Sequence, residues 1–96
     1  MDDELFNLNL LRGWRRTELQ LLREFANHPT VNQTMISGAS GLPAGSHALG
    51  GRITPLTRAG LILKAGKDDN GQFLWQLNEK KVDRQELLDM LEEMSI

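Results

Sequence analysis

The sequence contains no cysteine, and among its 96 residues it has only two histidines. Without cysteine, neither a disulfide framework nor a thiolate zinc site can form. The two histidines have no third ligand at a suitable spacing, so we expect no metal site and no cofactor. No apolar run approaches the length of a membrane span, and the acidic start "MDDELFNLNLL" is atypical of a signal peptide. We therefore expect a cytoplasmic protein of bacterial, phage or archaeal type that has no membrane partner.

Catalytic motifs are missing as well. Ser46 and His47 are adjacent, and a serine cannot easily place its hydroxyl against the imidazole of its own neighbour. The chain has no nucleophile elbow, and "AGSHALGG" lacks the strand, glycine loop and lysine of a phosphate-binding loop. We therefore expect no enzymatic activity and no catalytic residue.

The length allows one domain with a single modest core, and the 40% apolar and 25% charged content is ordinary for a globular protein. The net charge of −2 is unevenly spread along the chain. Residues 5–64 carry +5, whereas residues 65–96 hold four basic and eight acidic side chains. A basic body followed by an acidic segment is compatible with nucleic-acid binding by one face of the molecule.

The first third of the chain predicts an arm and two helices. In residues 5–11 apolar and asparagine side chains alternate, which favours a short strand or extended arm, and a helix started by Asp2 or Asp3 is nearly as well supported. A helix over 17–27 follows a capping box that starts at Thr17, and Pro29 stops it. A second box over 30–33 predicts another helix over 31–39.

A third helix is predicted from Ser46, a good N-cap, to a stop at Gly60. Leu49, Ile53 and Leu56 form its inner stripe, because they recur at helical spacing.

Gly50, Gly51 and Pro55 lie inside this helix, although helices normally avoid them. Each glycine costs about 1 kcal/mol of helix propensity. Pro55 cannot donate a hydrogen bond to the carbonyl of residue 51, and its ring presses on that carbonyl. We expect Gly51 to relax the clash, so that the helix is kinked rather than broken. Such a cost is tolerable where a backbone must come close to another molecule, and a flexible loop is the alternative interpretation.

Residues 61–78 predict two strands around Asn70-Gly71, a dipeptide that tolerates positive φ. Phe73, Trp75 and Leu77 alternate onto one face of the returning strand.

A C-terminal amphipathic helix is predicted over 83–95, opened by a capping box that starts at Asp83. Its apolar stripe, together with a tryptophan from the arm, is the candidate homodimer surface. Packing within the same domain explains the stripe almost equally well. The residues concerned are Trp14, Leu87, Leu88, Leu91 and Met94.

The order helix, helix, turn, helix and two-stranded hairpin resembles a winged helix-turn-helix domain. "ISGASGLP" looks like the end of the second helix and the turn, and "GRITPLTRAGLI" looks like the end of the recognition helix and the first wing strand. "NGQFLWQLN" is similar to the returning wing strand. The resemblance covers residues 17–78 and is to bacterial and phage transcription regulators of the multiple-antibiotic-resistance and arsenical-resistance type. One departure is the segment 42–49, which is about two residues longer than the usual turn.

This resemblance implies an α+β, mostly α fold for a single domain over 1–96. Its parts are an N-terminal arm (1–14), a three-helix core (17–60), a wing hairpin (61–78) and an added C-terminal helix (83–95).

The resemblance also implies a sequence-specific transcription regulator, in which helix 46–59 enters the major groove of double-stranded DNA and the hairpin contacts flanking backbone or minor groove. The major groove admits a helix and shows a distinct pattern at each base pair. The candidate nucleic-acid-binding residues are Ser46, His47, Gly50, Gly51, Arg52, Thr54, Thr57, Arg58, Lys64 and Lys67.

The alternative function is a winged-helix module that binds a protein partner instead of DNA. It is consistent with the isoelectric point of about 5.6 and with an acidic wing tip, where Asp68 and Asp69 are expected to repel phosphates. For Arg12, Arg15 and Arg16 an ordinary solvated surface is the simpler interpretation, whereas for Arg52 and Arg58 phosphate contact is slightly favoured over it.

Overall fold

The computed structural model describes residues 5–41 and 47–96, without the side chains of residues 47–49. This part of the chain is α+β and mostly helical, which confirms the predicted fold class at that level. None of its helices is long and apolar enough to cross a membrane. The elements are, in order, a 3-10 helix (Leu8–Gly13), α1 (Arg16–Asn27), β1 (Val31–Asn32), α2 (Gln33–Ser40), α3 (His47–Arg58), β2 (Ile62–Lys67), β3 (Phe73–Leu77) and α4 (Arg84–Glu93).

The three strands form one antiparallel sheet with β3 in the middle. Val31 of β1 is fully buried and pairs with Trp75 of β3. This strand was not predicted, because residues 31 and 32 were assigned to the second helix. The helix starts later since Asn32 is its N-cap, and the Asn32 Oδ1 accepts the Met35 N–H at 2.9 Å. The predicted capping box over 30–33 is therefore wrong.

The start of α1 also differs from the prediction. The N-cap is Arg15, and the Glu18 carboxylate accepts the Arg15 backbone N–H at 2.9 Å. Thr17 is thus already inside the helix and does not cap it. The helix ends at Asn27, before Pro29, as predicted.

Arg84, the first residue of α4, clamps the carboxyl end of α1. Its Nη1 donates to the carbonyls of Phe25 at 3.1 Å, Ala26 at 2.7 Å and His28 at 3.2 Å. Its Nη2 donates to the Glu79 carboxylate at 2.9 Å. The last carbonyls of a helix have no partner within their own helix, and a cation placed there also interacts favourably with the negative end of the helix dipole. One guanidinium therefore joins two helices that are far apart in sequence.

The core lies between α1 and the elements around it. Phe25 of α1 and Leu56 of α3 are fully buried, as are Leu11 of the 3-10 helix and Leu87 of α4. Because all four come from different elements, they hold the helices and the N-terminal arm together as one packed unit.

In the described part of the N-terminal arm, residues 8–13 form a short 3-10 helix instead of a strand, and the arm contacts the rest of the domain. The Phe6 N–H donates to the Lys81 carbonyl at 2.7 Å. The rings of Phe6 and Trp14 pack edge to face with centroids 6.2 Å apart.

Two predicted dimer residues, Leu87 and Leu91, belong to the core of the single chain. Their exposed fractions are 0% and 1%, so they have no surface left to offer a second copy. This corrects the prediction for these two residues and agrees with the alternative of packing within the domain. Trp14, Leu88 and Met94 are only partly buried. The carboxylate of Asp83 accepts the Glu86 N–H at 2.9 Å, so Asp83 caps α4 as predicted.

Candidate nucleic-acid interface

Helix α3 runs without interruption from His47 to Arg58. Two residues of the predicted inner stripe are described with their side chains, and both lie on the inner side as predicted. Leu56 is fully buried, and Ile53 packs against the core. The predictions for Ser46 and for the side chains of His47 and Leu49 lie outside the described residues. The exposed members of the helix are Gly50, Gly51, Arg52, Thr57 and Arg58, and Thr54 is half-buried.

Two threonine hydroxyls bond the backbone around Pro55. The Thr54 hydroxyl donates to the Gly50 carbonyl at 2.7 Å, and the Thr57 hydroxyl donates to the Ile53 carbonyl at 3.0 Å. Such bonds from a threonine to the preceding turn compete with the backbone hydrogen bonds and often bend a helix. They are made to the carbonyls of Gly50 and Ile53, and not to that of Gly51, from which Pro55 removes the backbone donor. The hydroxyl hydrogens are thereby used inside the helix, and their oxygens remain acceptors for a partner.

The helix ends at Arg58, and the predicted left-handed glycine follows it at position 60. Gly60 has φ of 75°, and the Leu61 N–H donates to the Leu56 carbonyl at 3.0 Å. This left-handed ending favours glycine, and it turns the chain directly into β2.

Gly50 and Gly51 have no structural role that requires glycine. Neither has a positive φ, and a Cβ added at either position would meet no heavy atom of the described residues within 4 Å. The expectation that Gly51 relaxes the clash between its carbonyl and the Pro55 ring stays a prediction, because the space around an added Cβ does not test that contact. The two glycines leave a bare strip of helix backbone facing outward.

Part of α3 and part of the hairpin line a common groove of about 250 Å³. Its apolar floor contains Ile53, Ile62 and Trp75. Five of the predicted binding residues are brought together on its walls, namely Gly50, Thr54, Thr57, Arg58 and Lys64.

Arg52 does not share this groove. It lines a separate small cavity with Thr17 and Gln20 of α1 and Ser40 of α2. Because six helical residues turn the side chain by about 120° relative to Arg58, the two arginines leave α3 on different sides.

The hairpin presents its two lysines around an exposed aromatic ring. The ammonium groups of Lys64 and Lys67 lie 5.0 and 4.9 Å from the centroid of the Phe73 ring. Phe73, Trp75 and Leu77 share a face as predicted, but burial falls along it, from 3% exposure at Leu77 to 43% at Phe73. Phe73 is not among the predicted binding residues, because its spacing is that of a core residue.

The tip of the hairpin is organised by Asp68. Its Oδ1 accepts the N–H groups of Asn70 and Gln72, each at 2.9 Å. Its Oδ2 accepts from the Asn32 side-chain amide at 3.3 Å. At the turn Gly71 has φ of 78°, whereas Asn70 does not have a positive φ. The Asp68 carboxylate, which was expected to repel phosphates, thus stabilises the turn and bonds the hairpin tip to the start of α2.

The cations of this face are not neutralised by the acids that the structure describes. Within residues 5–41 and 47–96, the ion pairs are Arg12 with Glu93, His28 with Glu24 and Arg84 with Glu79. Arg58, Lys64 and Lys67 take part in none of them. The face therefore offers unpaired positive charge and hydrogen-bond donors, a combination that attracts phosphate groups.

No protein-family model, curated protein or solved structure matches this chain.

Proposed function

We propose that this chain is a winged helix-turn-helix domain that binds double-stranded DNA sequence-specifically and regulates transcription. Helix α3 enters the major groove, and the hairpin β2–β3 contacts the flanking backbone. The observation that carries the proposal is the pair Gly50 and Gly51, exposed and sterically empty, next to a groove lined by Arg58 and Lys64.

The glycine pair supports a partner that comes very close to the helix. In the free chain each glycine costs about 1 kcal/mol of helix propensity, and no neighbour or backbone angle requires either one. A strip without Cβ atoms lets another molecule approach the helix backbone itself. The adjacent cations favour a polyanion, and duplex DNA carries one charge about every 1.7 Å of its axis.

The position of the hairpin supports the second contact. Gln72 bonds the Thr34 backbone N–H at 3.3 Å and the Thr34 hydroxyl at 3.2 Å. Together with the bond from Asn32 to Asp68, this fixes the hairpin tip against the start of α2. The hairpin tip is therefore held to α2, while β2 and β3 line one groove with α3.

We also propose that the domain acts as a homodimer, through the arm and the end of α4. Arg12 of the arm bonds Glu93 of α4 at 3.2 Å, and Arg16, at the start of α1, donates to the Ser95 carbonyl at 3.1 Å. The proposed surface includes the partly buried Trp14, Leu88 and Met94, and the arm also exposes Leu5 and Leu10, at 76% and 58%. A two-fold dimer reads two half-sites and so multiplies specificity. Light scattering after size exclusion should give twice the chain mass, and Leu10→Glu should halve it.

The DNA proposal is tested by the salt dependence of affinity for a duplex selected from a random-sequence pool. For the unmodified chain, the logarithm of the affinity should fall linearly with the logarithm of the salt concentration. The slope should steepen by about 0.9 for each phosphate that the protein neutralises. Arg58→Ala should weaken binding and reduce that slope by about 1. Arg23→Ala is the matched control, because this exposed arginine lies on α1 beside α4, away from α3.

If Arg52→Ala and Arg58→Ala together leave duplex affinity unchanged, the assignment of α3 is wrong. Duplex binding that is absent, or insensitive to salt, would favour the alternative module that binds a protein partner.

A further inference from the structure

Phe73 is an aromatic side chain in an unusual position for its size. It lies on the same face of β3 as the buried Trp75, with the two ring centroids 6.2 Å apart, yet it is 43% exposed. Both lysines of β2 place their ammonium groups within about 5 Å of its centroid. Both nitrogens therefore lie at most about 10 Å from each other. The ring is the common contact of two positive charges on the exposed end of the hairpin.

A β-bulge brings both lysines to this ring. Lys64 pairs with Trp75 and Lys67 pairs with Phe73, so three steps along β2 match two steps along β3. In a regular strand, residues three apart point to opposite faces of the sheet. The extra residue reverses that alternation, and Gly66 allows it with φ of 98°, a left-handed angle that favours glycine. The chain thus has a specific local device that aligns the two ammonium groups.

We propose that Phe73 is a positioning residue, which holds the Lys64 and Lys67 ammonium groups as a clamp for the phosphate backbone beside the α3 groove. This inference rests on the proposed DNA binding. Lys64 also lines that groove with Arg58, so the clamp continues the surface of α3.

The physical reason is the flexibility of the lysine side chain. A free lysine loses much rotamer freedom when its ammonium group binds a phosphate. The face of Phe73 restrains the ammonium group before DNA arrives, and the donors on the other side of the nitrogen remain available. An exposed cation–π contact is worth about a two- to fivefold change in an equilibrium. Two such contacts should change duplex affinity by roughly 4- to 25-fold.

A double-mutant cycle on duplex affinity tests the clamp. Phe73→Leu keeps an apolar side chain but removes the aromatic face, and it should weaken binding by roughly 4- to 25-fold. Phe73→Tyr should restore affinity to within about twofold, because its ring also attracts cations. Lys64→Gln with Lys67→Gln should lower the salt slope by about 2. In that background, Phe73→Leu should change affinity by less than about twofold, since no ammonium group remains to be positioned.

A second measurement uses the free protein. In the unmodified chain the Lys64 and Lys67 ε-protons should show ring-current shifts that Phe73→Leu abolishes and Phe73→Tyr retains. Thermal unfolding of every variant checks that the hairpin still folds.

The clamp is overturned if Phe73→Leu binds as tightly as the unmodified chain while Arg58→Ala is impaired, and the DNA proposal then stands alone. It is also overturned if Phe73→Leu weakens binding equally with and without the two lysines. If the unmodified chain binds no duplex, both proposals fail together.

Discussion

Replacing the two exposed glycines of α3 by alanine should change stability and DNA binding in opposite directions. Both positions have helical backbone and open space for a Cβ. Alanine should therefore recover about 1 kcal/mol of helix propensity at each position, so Gly50→Ala with Gly51→Ala should stabilise the free chain by about 2 kcal/mol. For a domain of this size, each kcal/mol raises Tm by roughly 4–8 °C.

Duplex affinity should fall in the same variant, because two methyl groups now project from the strip that faces the DNA. If the approach is as close as proposed, we expect a loss of about tenfold or more, equivalent to about 1.4 kcal/mol. Urea unfolding measures the stability change, and fluorescence anisotropy with a selected duplex measures the affinity.

Gly38→Ala is the matched control. Gly38 lies inside α2, it is exposed, and a Cβ added there would also meet open space. This variant should gain similar stability without any loss of affinity. The reasoning is refuted if the double variant in α3 becomes more stable and still binds duplex DNA as tightly as the unmodified chain.

Three further substitutions test the framework that holds the face in place. Arg84→Met should lower the free energy of unfolding by about 2–3 kcal/mol, because the carbonyls that end α1 lose a charged donor. Arg84→Lys should recover only part of this loss. If urea unfolding shows that Arg84→Met costs less than about 0.5 kcal/mol, Arg84 does not hold the end of α1 as described. Gly60→Ala should lower the free energy of unfolding by about 1–2 kcal/mol, since φ is 75° there. If the variant has the same Tm as the unmodified chain, the left-handed ending is unimportant. Asp68→Ala should cost about 1–2 kcal/mol, and the Asn70 and Gln72 amides should lose their protection from hydrogen exchange; unchanged protection would mean that the turn holds without the carboxylate.

The elements that were predicted well are those set by neighbours in sequence. The Asp83 cap acts on Glu86 three residues later, and the left-handed angle that follows α3 falls on Gly60. The buried side of α3 also follows from spacing alone, as Ile53 and Leu56 show. In each case the deciding interaction spans one or two helical turns, which is the range that periodicity and capping rules describe.

The elements that were missed depend on contacts far apart in sequence. Strand β1 exists because Val31 pairs with Trp75, and such a pairing leaves no mark in the sequence around Val31. The same is true of Arg84, whose partners on α1 lie nearly sixty residues earlier.

For the candidate site, alternation would place Lys64 and Lys67 on opposite faces, and the bulge puts them on one. Bulge positions follow from strand pairing, which is a property of the folded sheet. The separation of Arg52 from Arg58 follows from helical spacing, but the cavity that Arg52 lines depends on how α3 packs against α1 and α2.

The most direct test of the central claim is an NMR titration of the unmodified chain with a duplex selected from a random-sequence pool. We expect the amide signals of Gly50 and Gly51 to shift together with those of Arg58 and Lys64, and the shifts to diminish as salt is raised. Shifts confined to the arm and α4, or no salt-dependent shift at the two glycines, would contradict the placement of α3 against DNA.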